Sequence, residues 1–390
     1  MQKKNNYDII CFTSNEIQVL IIYMKKQIYI IGTVGVPACY GGFESLVENL
    51  LNYTPEDVEY TVFCSAKTYK EQPATYKGAK LIYLDLNANG KDSILYDYES
   101  MKIAVRDKAD IMLILGVSGC IFLPQIRRQF KGKIITNIDG LEWKRDKWKF
   151  YAKWLLKFSE SQAVYYSDVI IGDNKGITDY VKEEYKKVIS KKQLELIAYG
   201  GDQVEKVTDD SLYEKYSFCK EPYACTVCRI EPENNVHVIL EAFSKIQNKE
   251  EAFLNQLVMV GNWQKSDYGK ELKEKYSAYD NIHLINPVYE AHEINWIRSN
   301  AALYVHGHSA GGTNPSLVEA MNFGLPILAF DCVYNRATTE DGCEYWKTAE
   351  DIIMLNKKSE IFESIADSMK KLGNNLYSWK TIAKQYNELY

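Results

Sequence analysis

Two glycine-glycine turns carry the residues best suited to chemistry: Gly41-Gly42 within GTVGVPACYGGFES (32–45) and Gly311-Gly312 within HGHSAGGTNPSLVEA (306–320). Each follows a short apolar run and leads into a helix-like stretch, so each reads as a strand-to-helix turn where bare backbone approaches a ligand. In the second turn Pro315 suits the first helical position and Thr313 or Asn314 the cap, with Ser316 following. The helix start then aims N–H groups at the turn and favours an anion there. Glu319, one turn further in, offers a carboxylate to ribose hydroxyls. Arg229 ends the run ACTVC and opens RIEPENN, where a planar guanidinium holds phosphate oxygens in two bonds. The chemistry implied is capture of a phosphate-bearing molecule in a cleft between two such edges.

Other groups fall at strand ends. Asp139 follows IITNI and precedes Gly140, while Asp173 with Asn174 follows DVIIG. Either carboxylate suits a cleft edge, and Asp139 suits a plain turn equally. His306 and His308 alternate on one strand face, with no carboxylate or third histidine within a few residues, so no metal is expected. The absence of any Asp-x-Asp pair in the sequence argues against a design that grips Mg²⁺ or Mn²⁺. Gly32, Gly35, Gly41 and Gly42 do not spell GxGxxG, which removes the main support for a dinucleotide-dependent oxidoreductase.

Parallel strands alternating with helices must position these groups. Apolar runs recur at 28–31, 60–64, 81–84, 111–115, 134–138, 169–171 and 194–198, and again at 223–228, 257–260, 282–285, 302–305 and 327–330. Short buried runs separated by helices predict an α/β fold with two parallel-sheet, Rossmann-like domains. The expected division is an acceptor-side domain over 24–199, a linker over 200–221, a nucleotide-binding domain over 222–375, and a final helix over 376–390 that packs back on the first domain. Residues 1–23 fit neither pattern, and Met24 before the first convincing strand is the expected natural start. The length of 390 residues suits two domains.

A net charge of −5 argues against nucleic acid as the main partner. Nine cysteines, an odd number scattered through the chain, read as reduced core thiols in a cytoplasmic protein, and Cys225 and Cys228 lie within a strand-like run. No apolar run reaches the 18 to 20 residues, roughly, of a membrane span. The stretch WKRDKWKFYAKWLLKF (143–158) sets six Lys or Arg against one Asp and holds three of the seven tryptophans. Trp148, Tyr151, Ala152 and Leu155 share one helical face, which predicts either packing on the core or reversible docking on an anionic membrane surface.

CRIEPENNVHVILEAF and GGTNPSLVEAMNFGLPILA resemble two signature elements of glycosyltransferase family 4, which has the GT-B fold. The resemblance implies that Arg229 and Glu319 bind the diphosphate and ribose of a sugar donor. The family's first glutamate falls on Gly311 and its lysine on Asn234, so Gly311, Gly312, Thr313, Asn314 and Ser316 are expected to meet the donor through backbone amides, with Asn234 and His308 nearby. GTVGVPACYGGFES and NIDGLEWKR (137–145) resemble elements of bacterial rhamnosyltransferases of capsule and cell-wall polysaccharide synthesis. That likeness implies donor contacts at Gly41 and Gly42, and an acceptor or membrane side at Tyr40, Phe43, Glu142, Trp143, Lys144 and Arg145. Most family members place a histidine near the 6-hydroxyl of the donor sugar where Asp139 stands, and rhamnose lacks that hydroxyl.

The implied activity is retaining, metal-independent transfer of L-rhamnose from dTDP-β-L-rhamnose to a lipid-diphosphate-linked sugar, with no cofactor and with Asp139, Asp173 and Glu319 as catalytic candidates. The implied location is the cytoplasmic membrane face, held peripherally. The alternatives are another donor such as a UDP-hexose, a GT-B nucleotide-sugar 2-epimerase, and a catalytically silent sugar-nucleotide binding module.

Overall fold

The computed structural model describes residues 25–39, 41–144, 149–201, 206–246 and 253–390. It also describes the backbone of Tyr7–Asp8 (β1), which pairs antiparallel with Ile22–Tyr23 (β2). The chain forms two compact units: Met1–Asn137 with Leu156–Ile170 and Ala383–Tyr390, and Ile138–Leu155 with Ile171–Ile382.

The first sheet is built from β3 (Lys26–Ile31), β4 (Val58–Ser65), β5 (Thr75–Tyr76), β6 (Ala79–Leu84), β7 (Ile111–Leu115), β8 (Lys133–Asn137), β9 (Val169–Gly172) and β10 (Gln193–Leu196), in the order β10-β9-β8-β7-β3-β4-β6-β5. β3 pairs in parallel with β4 on one side and β7 on the other. Ile28, Ile30, Val62, Phe63, Leu113 and Ile114 are fully buried, as strands covered on both faces require. Each such side chain contributes about 1.5–3 kcal/mol by leaving water. The two-residue β5 is antiparallel and edges the sheet; it is too short to leave an apolar run in the sequence.

The second sheet holds β11 (Tyr223–Val227), β12 (Gln256–Val260), β13 (Ile282–Ile285), β14 (Leu303–His306), β15 (Ile327–Phe330) and β16 (Glu344–Trp346), in the order β13-β12-β11-β14-β15-β16, all parallel. Its core is continuous from Tyr223 and Leu257 to Trp296, Leu317 and Ile327. The parallel α/β architecture expected from the apolar runs is the one observed. Cys225 is buried in β11, and the eight described cysteines are free.

Candidate active site

The strand order of the second sheet reverses between β11 and β14, which pair side by side in parallel with β12 and β15 on their outer flanks. The connections after β11 and β14 leave to opposite sides, so a crevice opens at the carboxyl ends, where ligands of doubly wound sheets bind. The two loops are zipped together there. Ser309 N–H and Oγ–H both donate to Glu233 O, at 2.9 and 2.8 Å, and Asn235 Nδ2 donates to Gly307 O at 2.9 Å.

The glycine turn comes next. Thr313 N–H donates to Asp173 Oδ2 at 3.2 Å, and the Thr313 hydroxyl donates to the Asp173 carbonyl. A Cβ on Gly312 would fall on the Asp173 carboxylate, so only glycine fits. From another side Gly140 presses in, and a Cβ there would lie 2.8 Å from Gly311 Cα. Asn314 accepts from Ser316 N–H at 3.0 Å and caps the helix Pro315–Phe323, with Pro315 at its start. Among the described residues nothing accepts from the N–H groups of Ala310, Gly311 or Gly312. A Cβ on Gly311 would meet nothing within 4 Å. Uncommitted amides at a helix start beside open space form an anion cradle.

The charged groups divide into those spent on the fold and those left over. Among the described residues Arg229, whose side chain is 38% exposed, has one loose ionic partner, Glu231 at 3.8 Å, which Lys265 also approaches at 3.9 Å. Asn234 is buried, and its Nδ2 donates to Arg229 O at 2.6 Å. The position read as a donor contact thus shapes the loop that presents Arg229. Glu319 Oε2 pairs with Arg298 Nη2 at 2.8 Å, which orients the carboxylate, while Arg298 Nε is buried with no partner among the described residues. His306 and His308 stack with ring centroids 4.6 Å apart. His306 is buried with neither ring nitrogen bonded, and burial pulls it down to about 3, so it stays neutral.

Asp139 takes a left-handed backbone, φ 55°, ahead of Gly140. The Asp173 carboxyl titrates well above the usual range because burial, and then the nearby Asp139 charge, disfavour its anion. Asp173 Oδ1 is shut off from solvent with no hydrogen-bond partner among the described residues. Next to it, Asn174 accepts from Gly176 N–H at 2.8 Å and donates to Tyr334 O and Thr338 Oγ1, both at 3.1 Å. Glu142, Trp143 and Lys144 form one 3₁₀ turn. Trp143 packs against Tyr180 at 6.3 Å, and Lys144 lies over both rings. Arg145 and Tyr40 lie outside the described residues.

Two family models match the chain: residues 25–202 match the domain of unknown function DUF1972, and residues 209–379 match glycosyl transferases group 1. No curated protein matches the chain. Among solved structures it is similar to sucrose-phosphate synthase from Thermosynechococcus elongatus, with a TM-score of 0.74 at 16% identity over 94% of this chain and 98% of that one. Anabaena HepE, solved in complex with UDP, gives 0.69 at 14% over 93% and 99%. A glycosyltransferase from Rickettsia africae gives 0.68 at 14% over 94% and 98%. The fold is GT-B, with two Rossmann-like parallel-sheet domains. Arg229, Gly311, Gly312 and Glu319 all fall within the matched glycosyl transferase domain.

Ahead of that domain, the first unit carries its own switch point between β3 and β7. The residues 32–39 that leave β3 there are strapped from the helix Gly42–Asn52. Glu44, buried, accepts from Thr33 Oγ1 at 3.1 Å and from Val34 N–H at 2.8 Å. Its other oxygen occupies the place a Cβ on Gly41 would take, where φ is 142°. Glu48, one turn on, accepts from Ala38 N–H at 3.1 Å. Tyr69 and Tyr96 hydroxyls donate to Pro37 O and Thr33 O, at 2.7 and 3.1 Å. The Phe43 ring would stand 3.5 Å from a Cβ on Gly116, beyond β7.

Sequence reading did not identify Glu44, Glu48 or Arg298 as site residues. The available signal for the first two was their spacing, two carboxylates four apart on one helical face beside a glycine loop.

Proposed function

We propose that the chain transfers L-rhamnose from dTDP-β-L-rhamnose to a sugar carried on a lipid diphosphate, in the synthesis of a cell-surface polysaccharide at the cytoplasmic face of the membrane. The reading rests above all on the uncommitted amides of 310–312, set beside open space where the resembled family carries a bulky carboxylate. Those donors and Arg229 stabilise the charge gathering on the departing diphosphate. Glu319, held by Arg298, takes the ribose. The C1–O bond to the diphosphate breaks as the bond from C1 to the acceptor oxygen forms on the same face. The acceptor proton passes to the departing phosphate oxygen. Retention makes the new linkage β, and no metal is required. Asp139 orients the acceptor hydroxyl, while Asp173 acts on the chemistry by fixing the turn at Gly312 and Thr313. The resemblance of 32–45 and 137–145 to rhamnosyltransferases supports the sugar, and the solved complex of HepE with UDP supports nucleotide diphosphate recognition by this fold.

The test incubates purified protein with dTDP-β-L-rhamnose and a glucosyl or N-acetylglucosaminyl lipid diphosphate, with and without EDTA. Rhamnosylated lipid with a β linkage, formed equally with EDTA, is expected. Faster transfer from UDP-glucose would replace the donor, and conversion of donor without acceptor would make the protein an epimerase. No turnover of either donor would overturn the reading.

A further inference from the structure

The helix Phe150–Tyr166 begins with three of the five most exposed large apolar side chains among the described residues. Phe150 is 86% exposed, Tyr151 70% and Trp154 63%. Successive helical residues step by roughly 100°, so these three rings cover one arc of about 100°. Lys153, and Lys149 just before the first turn, fall on the adjoining arc. Of the residues expected to share one face, Trp148, Tyr151, Ala152 and Leu155, Tyr151 lies on this arc. Ala152 and Leu155 are partly buried, and Trp148 lies outside the described residues. Apolar side chains clustered in water mark a contact surface.

We infer that this arc, Phe150, Tyr151 and Trp154 flanked by Lys149 and Lys153, docks on an anionic lipid surface. Three observations select a bilayer as the occupant. The rings are aromatic, the type enriched where a membrane meets water. Lys149 and Lys153, which adjoin them on the helix, are of the type that reaches phosphate headgroups while its stem lies along the apolar boundary. The flanking sequence 143–158 contains six basic residues against one acidic, an excess that draws the helix to an anionic plane. The inference deepens the proposal of a lipid-carried acceptor, since docking would bring the enzyme to the surface that holds it. It rests on that proposal only for its purpose, because docking is measured without donor or acceptor.

The experiment is co-sedimentation of the full chain with phosphatidylcholine vesicles, with and without phosphatidylglycerol. Binding is expected only with the anionic lipid, and it should fall at high salt. Lys149→Gln with Lys153→Gln should lower the partition coefficient roughly twenty-five-fold, about fivefold per lysine. Phe150→Ser and Trp154→Ser should each lower it about tenfold or more, with circular dichroism and melting temperature unchanged. Failure of the wild type to bind anionic vesicles, or equal binding by the serine variants, would overturn the assignment. So would concentration-dependent dimerisation in sedimentation velocity that Trp154→Ser abolishes, which would make the face an interface between copies.

Discussion

In the first glycine turn the protein consumes its own backbone donors: Val34 N–H goes to Glu44 and Ala38 N–H to Glu48. In the second, Asp173 takes Thr313 N–H, and the amides of 310–312 have no acceptor among the described residues. Both turns place a carboxylate oxygen where a glycine Cβ would be, Glu44 at Gly41 and Asp173 at Gly312. The carboxylate comes from the following helix in one case and from a position about 140 residues away in the other. A local strap yields a shaped wall. The distant strap fixes the turn while leaving its donors for a ligand. Similar glycine signatures therefore do different work, and what distinguishes them is the direction from which the carboxyl group arrives.

The largest expected effect breaks the second turn. Gly312→Ala puts a methyl on the Asp173 carboxylate and displaces the amides from the cradle. Transfer measured as kcat/KM should fall on the order of a thousandfold, the scale of losing preorganised oxyanion donors. Gly311→Ala meets no atom, so it should cost less in spite of its φ of 114°. Equal losses in both would show that strain, rather than the Asp173 contact, governs the site.

Each unit also hides a carboxyl with one orphaned oxygen, Asp97 in the first and Asp173 in the second. Asp97 Oδ2 accepts from Gly119 N–H at 2.9 Å, and burial pushes the carboxyl up to about 7 from 3.8. The folded state thus keeps a proton that the unfolded chain has released. Its contribution to stability is fully present below pH 4, approximately, and is lost as pH rises through about 7. Denaturant titrations should show the stability difference between wild type and Asp97→Asn changing on the order of 4 kcal/mol over that window. A pH-independent difference would mean the carboxyl is already ionised in the fold. Asp173 shifts in the same direction, with the Asp139 charge adding to the effect of burial, so Asp173→Asn should change the stability difference with the same sign.

Glu44→Ala comes next, because it leaves Thr33 Oγ1 and Val34 N–H without their acceptor. The expected loss is about 2 kcal/mol, a fall of roughly 4–8 °C in melting temperature. Glu44→Gln, which keeps one acceptor oxygen, should recover part of it. An unchanged melting temperature in the alanine variant would remove the strap from the comparison.

Strands such as Ile28–Ile31 and Leu257–Val260 were legible because burial on both faces leaves unbroken apolar runs. The cap at Asn314 and Pro315 was legible because helix starts are decided within a few residues. Arg298 was not, since its meaning depends on Glu319 from another helix, and Asn234 points to the carbonyl of Arg229 rather than outward. Asp97 was equally silent: a lone carboxylate in a helical stretch reads as solvated until tertiary packing covers it. The exposed arc of Phe150 and Trp154 depends on which side of a helix the core takes, and a stretch rich in both lysine and aromatic residues leaves that open.

The smallest effect sharpens the reading of Arg229. At 3.8 Å from Glu231, with both side chains partly exposed, the pair belongs to the class worth about 0–1 kcal/mol. Glu231→Gln should therefore leave the melting temperature nearly unchanged and remove the carboxylate charge that competes with a bound phosphate. Donor KM should fall by about twofold at low salt, and the gain should shrink as salt screens the charge. Arg229→Ala gives the opposite sign, raising KM and lowering kcat with little change in stability, because charge-assisted bonds to phosphate are lost and few internal ones. If both variants instead lower the melting temperature alike and leave KM alone, the guanidinium serves the fold, and the second turn must hold its anion with amides only.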